Sequence, residues 1–189
     1  MVTPIGQLRA LAKMNLCDRC FTTYIEIIEP TVKNYLFSSL EEWRRAESSI
    51  FQITMRLAGA YKTQVNVFNI DESNFENLAN LVDKDKYIEI KRWSLKRRID
   101  YLHTQGFLGD ASHLFLDEAR KVRNKIHTDF SEFSEKDLDM LSVASDLASQ
   151  FLFAVVPPTK DDISASIKSN AETRAKNLLT FYGITKPEP

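Results

Sequence analysis

The sequence has few of the residues that interrupt helices, since only 5 of its 189 residues are glycine and 6 are proline. Glycine and proline weaken or end helices, so long helices meet few obstacles along this chain. Apolar residues make up 43% of the chain and charged residues 27%, values that are typical of globular proteins and exclude disorder of the whole chain. We therefore expect one main folded domain.

Long hydrophobic runs are also missing. No apolar stretch approaches the roughly 20 residues that a helix needs to cross a bilayer. The first residues include Pro4 and Gly6 and lack the basic and then apolar pattern of a signal peptide. We therefore expect a cytoplasmic protein that has no membrane partner.

Cysteine is scarce, and the only two, Cys17 and Cys20, form one C-x-x-C in the stretch NLCDRC. A zinc site needs about four ligands, and no second pair of ligands follows at finger spacing. Two half-buried thiols on one helix face are the favoured interpretation, while a metal site and a redox pair remain open alternatives. We expect no metal and no cofactor, because the common motifs for nucleotides, zinc proteases and serine hydrolases are also missing.

Charge is nearly balanced overall but unevenly distributed along the chain. The formal net charge is −1, which excludes the strong basicity of a protein that coats nucleic acid. Residues 84–127 nevertheless contain eleven Lys and Arg against six acids, and residues 128–150 contain six acids against one Lys. The simplest interpretation is that the two segments lie on adjacent helices and compensate each other.

Helical periodicity dominates the hydrophobic pattern. Ser39 and Glu42 have the spacing of a capping box, which predicts a long helix over 38–62, and Pro30 predicts a helix boundary or first turn before it. Residues 64–70 alternate like a short extended piece, but one strand cannot make a sheet. Further helices are predicted over 71–82, 87–103, 110–128 and 161–182. Another helix is predicted from a cap formed by Ser134 and Asp137 to the prolines at 157 and 158.

These patterns predict an all-α fold, a helical bundle of about six or seven helices with little or no sheet. The last helix has a weaker apolar stripe than the others, so we expect it to be partly extended. The predicted division is a helical bundle over 1–158 and a C-terminal helical arm and tail over 159–189.

The stretch EARKVRNKIHTD, residues 118–129, groups polar residues beside a core stripe. Successive residues of a helix are about 100° apart, so Arg120, Arg123, Asn124 and His127 share one edge of the helix. No carboxylate is expected on that edge. Two guanidiniums, an amide and an imidazole suit a phosphate, because Arg offers paired donors and His titrates near neutrality. The alternative is an ordinary helix end, where the helix dipole alone favours Arg and His.

At these residues the chain resembles the HEPN superfamily, the "higher eukaryotes and prokaryotes nucleotide-binding" helical domains. Members typically have an Arg and a His with four to six residues between them, often with a polar residue, commonly Asn, after the Arg. Six residues separate Arg120 from His127, which fits this spacing. Arg123 is followed directly by Asn124, as in the motif, but only three residues separate it from His127. Residues 94–127 also resemble the helix, short Gly-containing turn and motif helix of several HEPN branches.

The resemblance implies a HEPN-like bundle and a metal-independent endoribonuclease, in which a ribose 2′-OH attacks the adjacent phosphate. His127 would be the general acid or base, Arg120 or Arg123 would neutralise the phosphate, and Asn124 would orient either group. It also implies a homodimer with two motifs face to face, RNA as substrate, and a possible toxin or defence role with a cognate antitoxin or regulatory protein. The alternative function is a non-catalytic helical module for dimerisation or for nucleotide or protein binding.

Overall fold

The computed structural model describes residues 18–61, 82–128, 134–155 and 161–185, with side chains described for 38–61, 82–126, 134–155 and 162–185. The described residues form six helices: α1 (Asp18–Leu57), α2 (Lys84–Lys91), α3 (Leu95–Thr104), α4 (Asp110–Thr128), α5 (Glu135–Phe153) and α6 (Asp161–Tyr182). Tyr61 and Val82 form one isolated antiparallel bridge, and these ranges contain no strand. The prediction of an all-α helical bundle is confirmed.

Among the described helices, none is both long and apolar enough to cross a membrane.

One main core joins five of the helices. α1 packs along α5, α3 packs between α1 and α4, and α6 packs against both α4 and α5. The predicted core stripes on α1, α4 and α5 are confirmed for most of their residues, while Leu57 is 37% exposed and Val122 is only partly buried. The buried residues at helical spacing are Trp43, Ile50, Ile53, Phe115, Ala119, Ile126, Met140, Ala144, Leu147 and Phe151. A second, smaller core attaches α2 to the end of α1.

The predicted beginning of α1 was wrong. The helix runs from Asp18 through Pro30 without interruption, and Ser39 lies inside it, 4% exposed, instead of capping it. A proline inside a helix removes one backbone hydrogen bond, and here the helix-forming residues on both sides continue the helix through it. The predicted helix over 71–82 and the extended piece over 64–70 lie outside the described residues.

The helix predicted over 87–103 is two helices, α2 and α3, with a break at 92–94. Ser94 has an extended backbone and caps α3, because its side chain accepts from the backbone N–H of Arg97 at 3.2 Å. Arg98 stabilises the C-terminal end of α2, on the other side of the break, since its Nη2 donates to the carbonyls of Ile90 and Lys91 at 3.3 and 3.2 Å. No glycine or proline marks this break, so the hydrophobic periodicity of the sequence predicted one continuous helix across it.

The predicted helices over 110–128 and 161–182 have the expected bounds. Ser134 and Asp137 form the expected cap of α5, a capping box in which each side chain accepts from the backbone of the other. Ala171 and Ala175 of α6 are fully buried in the main core. The division of the chain at 158 and 159 stays a prediction.

A carboxylate of α6 binds the first turn of α4. Glu172 accepts hydrogen bonds from the backbone N–H of Ala111 at 2.8 Å and of Ser112 at 3.2 Å, and from Ser112 Oγ at 2.6 Å. The N-terminus of a helix has unpaired N–H groups and a positive dipole end, so a carboxylate there is stabilising. A Cβ on Gly109 would lie 2.4 Å from Glu172 Cδ, so the close approach requires glycine.

We expect Gly109→Ala to lower the free energy of unfolding by about 1–3 kcal/mol, because the added methyl group displaces Glu172 and breaks its hydrogen bonds. In a Glu172→Ala background the same substitution should have a much smaller effect, which urea unfolding of the four proteins measures. Gly106→Ala is the matched control. Gly106 has φ +68° and no neighbour within 4 Å of an added Cβ, so its effect of about 1 kcal/mol should not depend on Glu172. Additive effects of Gly109→Ala and Glu172→Ala would contradict the contact.

Candidate functional site

Helix α4 carries all four of the predicted site residues. Phe115, Ala119 and Ile126 are fully buried on its inner face, which fixes the rotation of the helix about its axis. Arg120, Arg123 and Asn124 lie beside that buried stripe, as the helical spacing predicts. The backbone of His127 belongs to the last turn of α4, and its side chain lies outside the described side chains.

Arg120 is held by a carboxylate of its own helix. Its Nε donates to Oδ1 of Asp117 at 2.8 Å, and Asp117 is only 7% exposed. The expectation that no carboxylate lies on this edge was therefore wrong. At i and i+3 on a helix, Asp117 and Arg120 are direct neighbours, and burial strengthens the pairing. Since Nε makes this bond, the terminal Nη1 and Nη2 of Arg120 have no hydrogen-bond partner among the described residues.

Asp117 lies close to three cations. Besides Arg120, Lys121 Nζ lies 3.5 Å from Oδ2 and Lys96 Nζ of α3 lies 3.9 Å from Oδ1. The hydrogen bond to Glu118 raises the pKa of Lys121 above its ordinary value, and Asp117 adds to this effect. Lys121 also pairs with Glu118 and Lys96 with Asp100, so three carboxylates balance the three cations at this edge.

Arg123 and Asn124 contact each other. Arg123 Nη1 donates to Oδ1 of Asn124 at 3.2 Å, and Arg123 Nε lies 3.7 Å from Oε1 of Glu47 in α1. Glu47 is itself held by the indole N–H of buried Trp43 at 2.6 Å. Arg123 is therefore directed toward α1, and its terminal nitrogen is already engaged, unlike those of Arg120.

Where the structure describes their ion pairs, the two oppositely charged segments are compensated by near neighbours and by other helices. In the basic segment, Lys121 pairs with Glu118 of the same helix, and Arg123 reaches Glu47 of α1. In the acidic segment, Asp146 pairs with Arg174 of α6 at 3.4 Å. From the sequence, ion pairs were expected between the two segments. The sequence does not show that α1 and α6 lie against these segments and supply other ion-pair partners.

The structure brings together two histidines for which no sequence pattern indicated a role. The rings of His103, at the end of α3, and His113, in the first turns of α4, stack with centroids 4.4 Å apart. His103 Nε2 lies 2.9 Å from Oδ1 of Asp110, and His113 Nε2 lies 2.8 Å from Oδ1 of Asp100. The short turn between two antiparallel helices could have suggested this meeting, since it places the end of one helix beside the start of the next.

Asp100 is the centre of this cluster. It accepts hydrogen bonds from His113 and Lys96, and Lys96 in turn connects the cluster to Asp117. Partial burial alone would raise the pKa of Asp100, but the hydrogen bonds and charges of Lys96 and His113 outweigh it and hold the pKa below its usual value of 3.8. The cluster thus fixes the α3–α4 turn behind the edge that carries Arg120.

In the ranges with described side chains, no three His, Cys, Asp or Glu residues converge in a way that could hold a metal ion. The side chains of Cys17 and Cys20 lie outside those ranges. A scan against protein-family models, a search of curated proteins and a search of solved structures found no match to this chain. The assignment of a function therefore depends on the chemistry of α4 and on the resemblance of its motif.

We expect Asp100→Asn to reduce the pH dependence of stability in mildly acidic solution. A carboxylate whose pKa is lowered by folding stabilises the protein above its unfolded pKa, and this contribution disappears as the pH falls through the folded value. The free-energy difference between wild type and Asp100→Asn should therefore be larger at pH 5 than at pH 3. Asp100 is 45% exposed, so the change should be below about 1 kcal/mol.

Urea unfolding at both pH values measures this difference. Asp146→Asn is the matched control, because it also removes one carboxylate, from an exposed ion pair with Arg174. A difference between wild type and Asp100→Asn that is the same at both pH values would contradict the role of Lys96 and His113 in holding the carboxylate ionised.

Proposed function

We propose that the protein is a metal-independent endoribonuclease of the HEPN type, a cytoplasmic homodimer with a role in a toxin–antitoxin or defence system. The observation that carries this proposal is the attachment of Arg120 Nε to buried Asp117, which leaves the terminal nitrogens of Arg120 available on the helix that carries His127. Arg binds phosphate through paired terminal nitrogens, so an Arg anchored at Nε is oriented for this contact.

The proposed reaction uses side chains of α4 from this chain and from the second copy that completes the site, and it uses no metal ion. The ribose 2′-oxygen attacks the adjacent phosphorus, the bond from phosphorus to the 5′-oxygen breaks, and the products are a 2′,3′-cyclic phosphate and a 5′-OH. The 2′-OH loses its proton to a general base, and the 5′-oxygen gains one from a general acid. His127 serves as the acid or the base, and Arg120 stabilises the charge that builds on the phosphate oxygens.

The contacts of the two arginines support different roles for them. Arg120 meets the spacing of the motif, and its terminal nitrogens have no hydrogen-bond partner among the described side chains, so it is assigned to the phosphate. Arg123 meets the dipeptide of the motif, but its Nη1 is bonded to Asn124 and its Nε faces Glu47. We assign Arg123 and Asn124 to orienting the RNA or His127. As in the family that the motif resembles, each chain would supply half of a site that a second copy completes.

Purified protein should cleave single-stranded or loop RNA in excess EDTA and leave cyclic phosphate ends. His127→Ala should lower the rate by about two to four orders of magnitude, the usual effect of losing a general acid or base, without loss of fold. Arg120→Ala should lower the rate more than Arg123→Ala, and Arg120→Lys should restore little, because an ammonium lacks the paired donors of Arg.

Arg174→Ala is the matched control for the loss of one Arg, because Arg174 is a surface residue of α6 that pairs with Asp146. It should retain the wild-type rate, and far-UV circular dichroism checks the fold of every variant. Equal cleavage by wild type and His127→Ala, or loss of cleavage in EDTA, would contradict the ribonuclease proposal.

Exposed apolar side chains favour a non-catalytic module as the second candidate function. Phe181 and Ile163 of α6 are 68% and 49% exposed, and Phe153 of α5 is 54% exposed. Large exposed apolar residues are often found where proteins bind one another. Such a module would bind a partner or a second copy through these residues, whether or not α4 cleaves RNA.

A point substitution tests this surface without disturbing the fold, because Ala171 and Ala175 of α6 belong to the main core and Glu172 binds α4. We expect Phe181→Ser to weaken self-association with little loss of stability, since the ring is mostly exposed. Sedimentation measures the assembly, and Thr173→Ser, at an exposed position of the same helix, is the control. Unchanged assembly of Phe181→Ser would count against this surface.

A further inference from the structure

A pocket of about 300 Å³ lies between α2 and the beginning of α3. Its lining combines both signs of charge with an aromatic ring and one aliphatic side chain: Asp85, Ile88, Glu89, Arg92, Trp93 and Arg97. This volume is at the lower end of the range that holds small ligands. It is large enough for one nucleotide and lies outside the α4 edge described above.

Trp93 forms the aromatic wall of the pocket, and residues behind it fix its position. Trp93 packs against the small core of Met55, Val82 and Ile90, and its ring meets the ring of Tyr101 edge to face, with centroids 5.3 Å apart. On the pocket side, the guanidinium of exposed Arg97 lies over the indole at 4.3 Å from the ring centroid. The stack of Trp93 and Arg97 is therefore a preformed planar surface, and unstacked bases bind on such surfaces.

The charges around this stack have no partners among the described residues. No ion pair or side-chain hydrogen bond engages the carboxylates of Asp85 and Glu89 or the guanidinium of Arg92 within those ranges. A surface with free acceptors, a free guanidinium and an aromatic wall complements a ligand that has hydrogen-bond donors, an anion and a flat ring. A nucleotide has all three.

We infer that this pocket binds one unstacked guanine nucleotide of single-stranded RNA, an inference that rests on the proposed ribonuclease function. The base lies against the stack of Trp93 and Arg97, and Arg92 binds its phosphate. Glu89 or Asp85 accepts from the Watson–Crick edge. Guanine presents N1–H and N2–H side by side to one carboxylate, whereas the other bases present a single donor or one amino group, so the carboxylates select guanine.

The position of the pocket connects it to the proposed cleavage edge. Arg97 directly follows Lys96, and Lys96 Nζ lies 3.9 Å from Oδ1 of Asp117, the carboxylate that holds Arg120. The contact of Lys96 with Asp117 thus joins α3, which carries Arg97 of the pocket, to the α4 edge that carries Arg120. A strand whose guanine occupies the pocket would present a nearby phosphate to Arg120, so the pocket sets which bond is cut.

The test measures binding without cleavage. Titration of wild type and of His127→Ala with 5′-GMP should quench tryptophan fluorescence, and the quenching should disappear in Trp93→Phe, which keeps a ring at the position. 5′-GMP should bind about tenfold more tightly than 5′-CMP, 5′-UMP or inorganic phosphate, the factor expected for one additional charge-assisted hydrogen bond. Paired Asp85→Asn and Glu89→Gln substitutions should remove this preference, and Arg92→Ala should weaken every nucleotide about tenfold.

Arg44→Ala is the matched control, because Arg44 is an exposed residue of α1 that pairs only with nearby Glu41 among the described contacts. It should leave nucleotide binding unchanged.

Equal binding of 5′-GMP and inorganic phosphate, or binding that Arg92→Ala and Glu89→Gln leave unchanged, would overturn the inference. Selective 5′-GMP binding by a protein that cuts no RNA would support the pocket and reject the ribonuclease. RNA cleavage whose guanine dependence is unchanged by Asp85→Asn with Glu89→Gln would reject the pocket and keep the ribonuclease.

Discussion

The contact between Glu172 and the first turn of α4 is the constraint on which the arrangement of the site depends. α4 carries every residue of the proposed site, and its unpaired N–H groups are satisfied by a carboxylate that comes from the last helix. The same contact attaches α6 to the bundle, with Ala171 and Ala175 packed beside it. A chain that lost this contact would keep the core packing of α6 but lose the carboxylate that holds the start of the motif helix.

A second carboxylate has the corresponding role at the site itself. Asp117 is buried beside the core stripe of α4, and buried carboxylates are found paired with cations or hydrogen-bond donors. Arg120, Lys121 and Lys96 supply them, and Lys96 connects this group to Asp100 and the stacked histidines. The cations at the edge are therefore not an ordinary solvated helix face, because a buried group orients them.

Helix positions were predictable where amphipathic spacing and a cap agreed. The bounds of α4 and α6 and the capping box of Ser134 followed from short-range patterns alone. The break before Ser94 and the passage of α1 through Pro30 were not predictable in this way. In both cases the helix boundary is decided by packing or by a side chain several residues away, such as Arg98. Neither can be predicted from the pattern of a few neighbouring residues.

The candidate site was predictable as a set of residues but not as a set of contacts. Spacing placed Arg120, Arg123, Asn124 and His127 along one edge, since a single helix fixes their positions. The partners that distinguish the two arginines could not be predicted, because Glu47 lies on another helix and the burial of Asp117 depends on packing. The meeting of His103 with His113, and the pocket beside Trp93, likewise depend on which helices become neighbours.

In the proposed function, Asp117 is a positioning residue that acts only through Arg120, and a double-mutant cycle on RNA cleavage tests this most directly. The rates of wild type, Asp117→Asn, Arg120→Ala and the double variant would be measured under identical conditions, with the fold of each checked by circular dichroism. We predict that Asp117→Asn slows cleavage in the wild-type background and has little further effect once Arg120 is removed. Equal effects of Asp117→Asn in both backgrounds would contradict it.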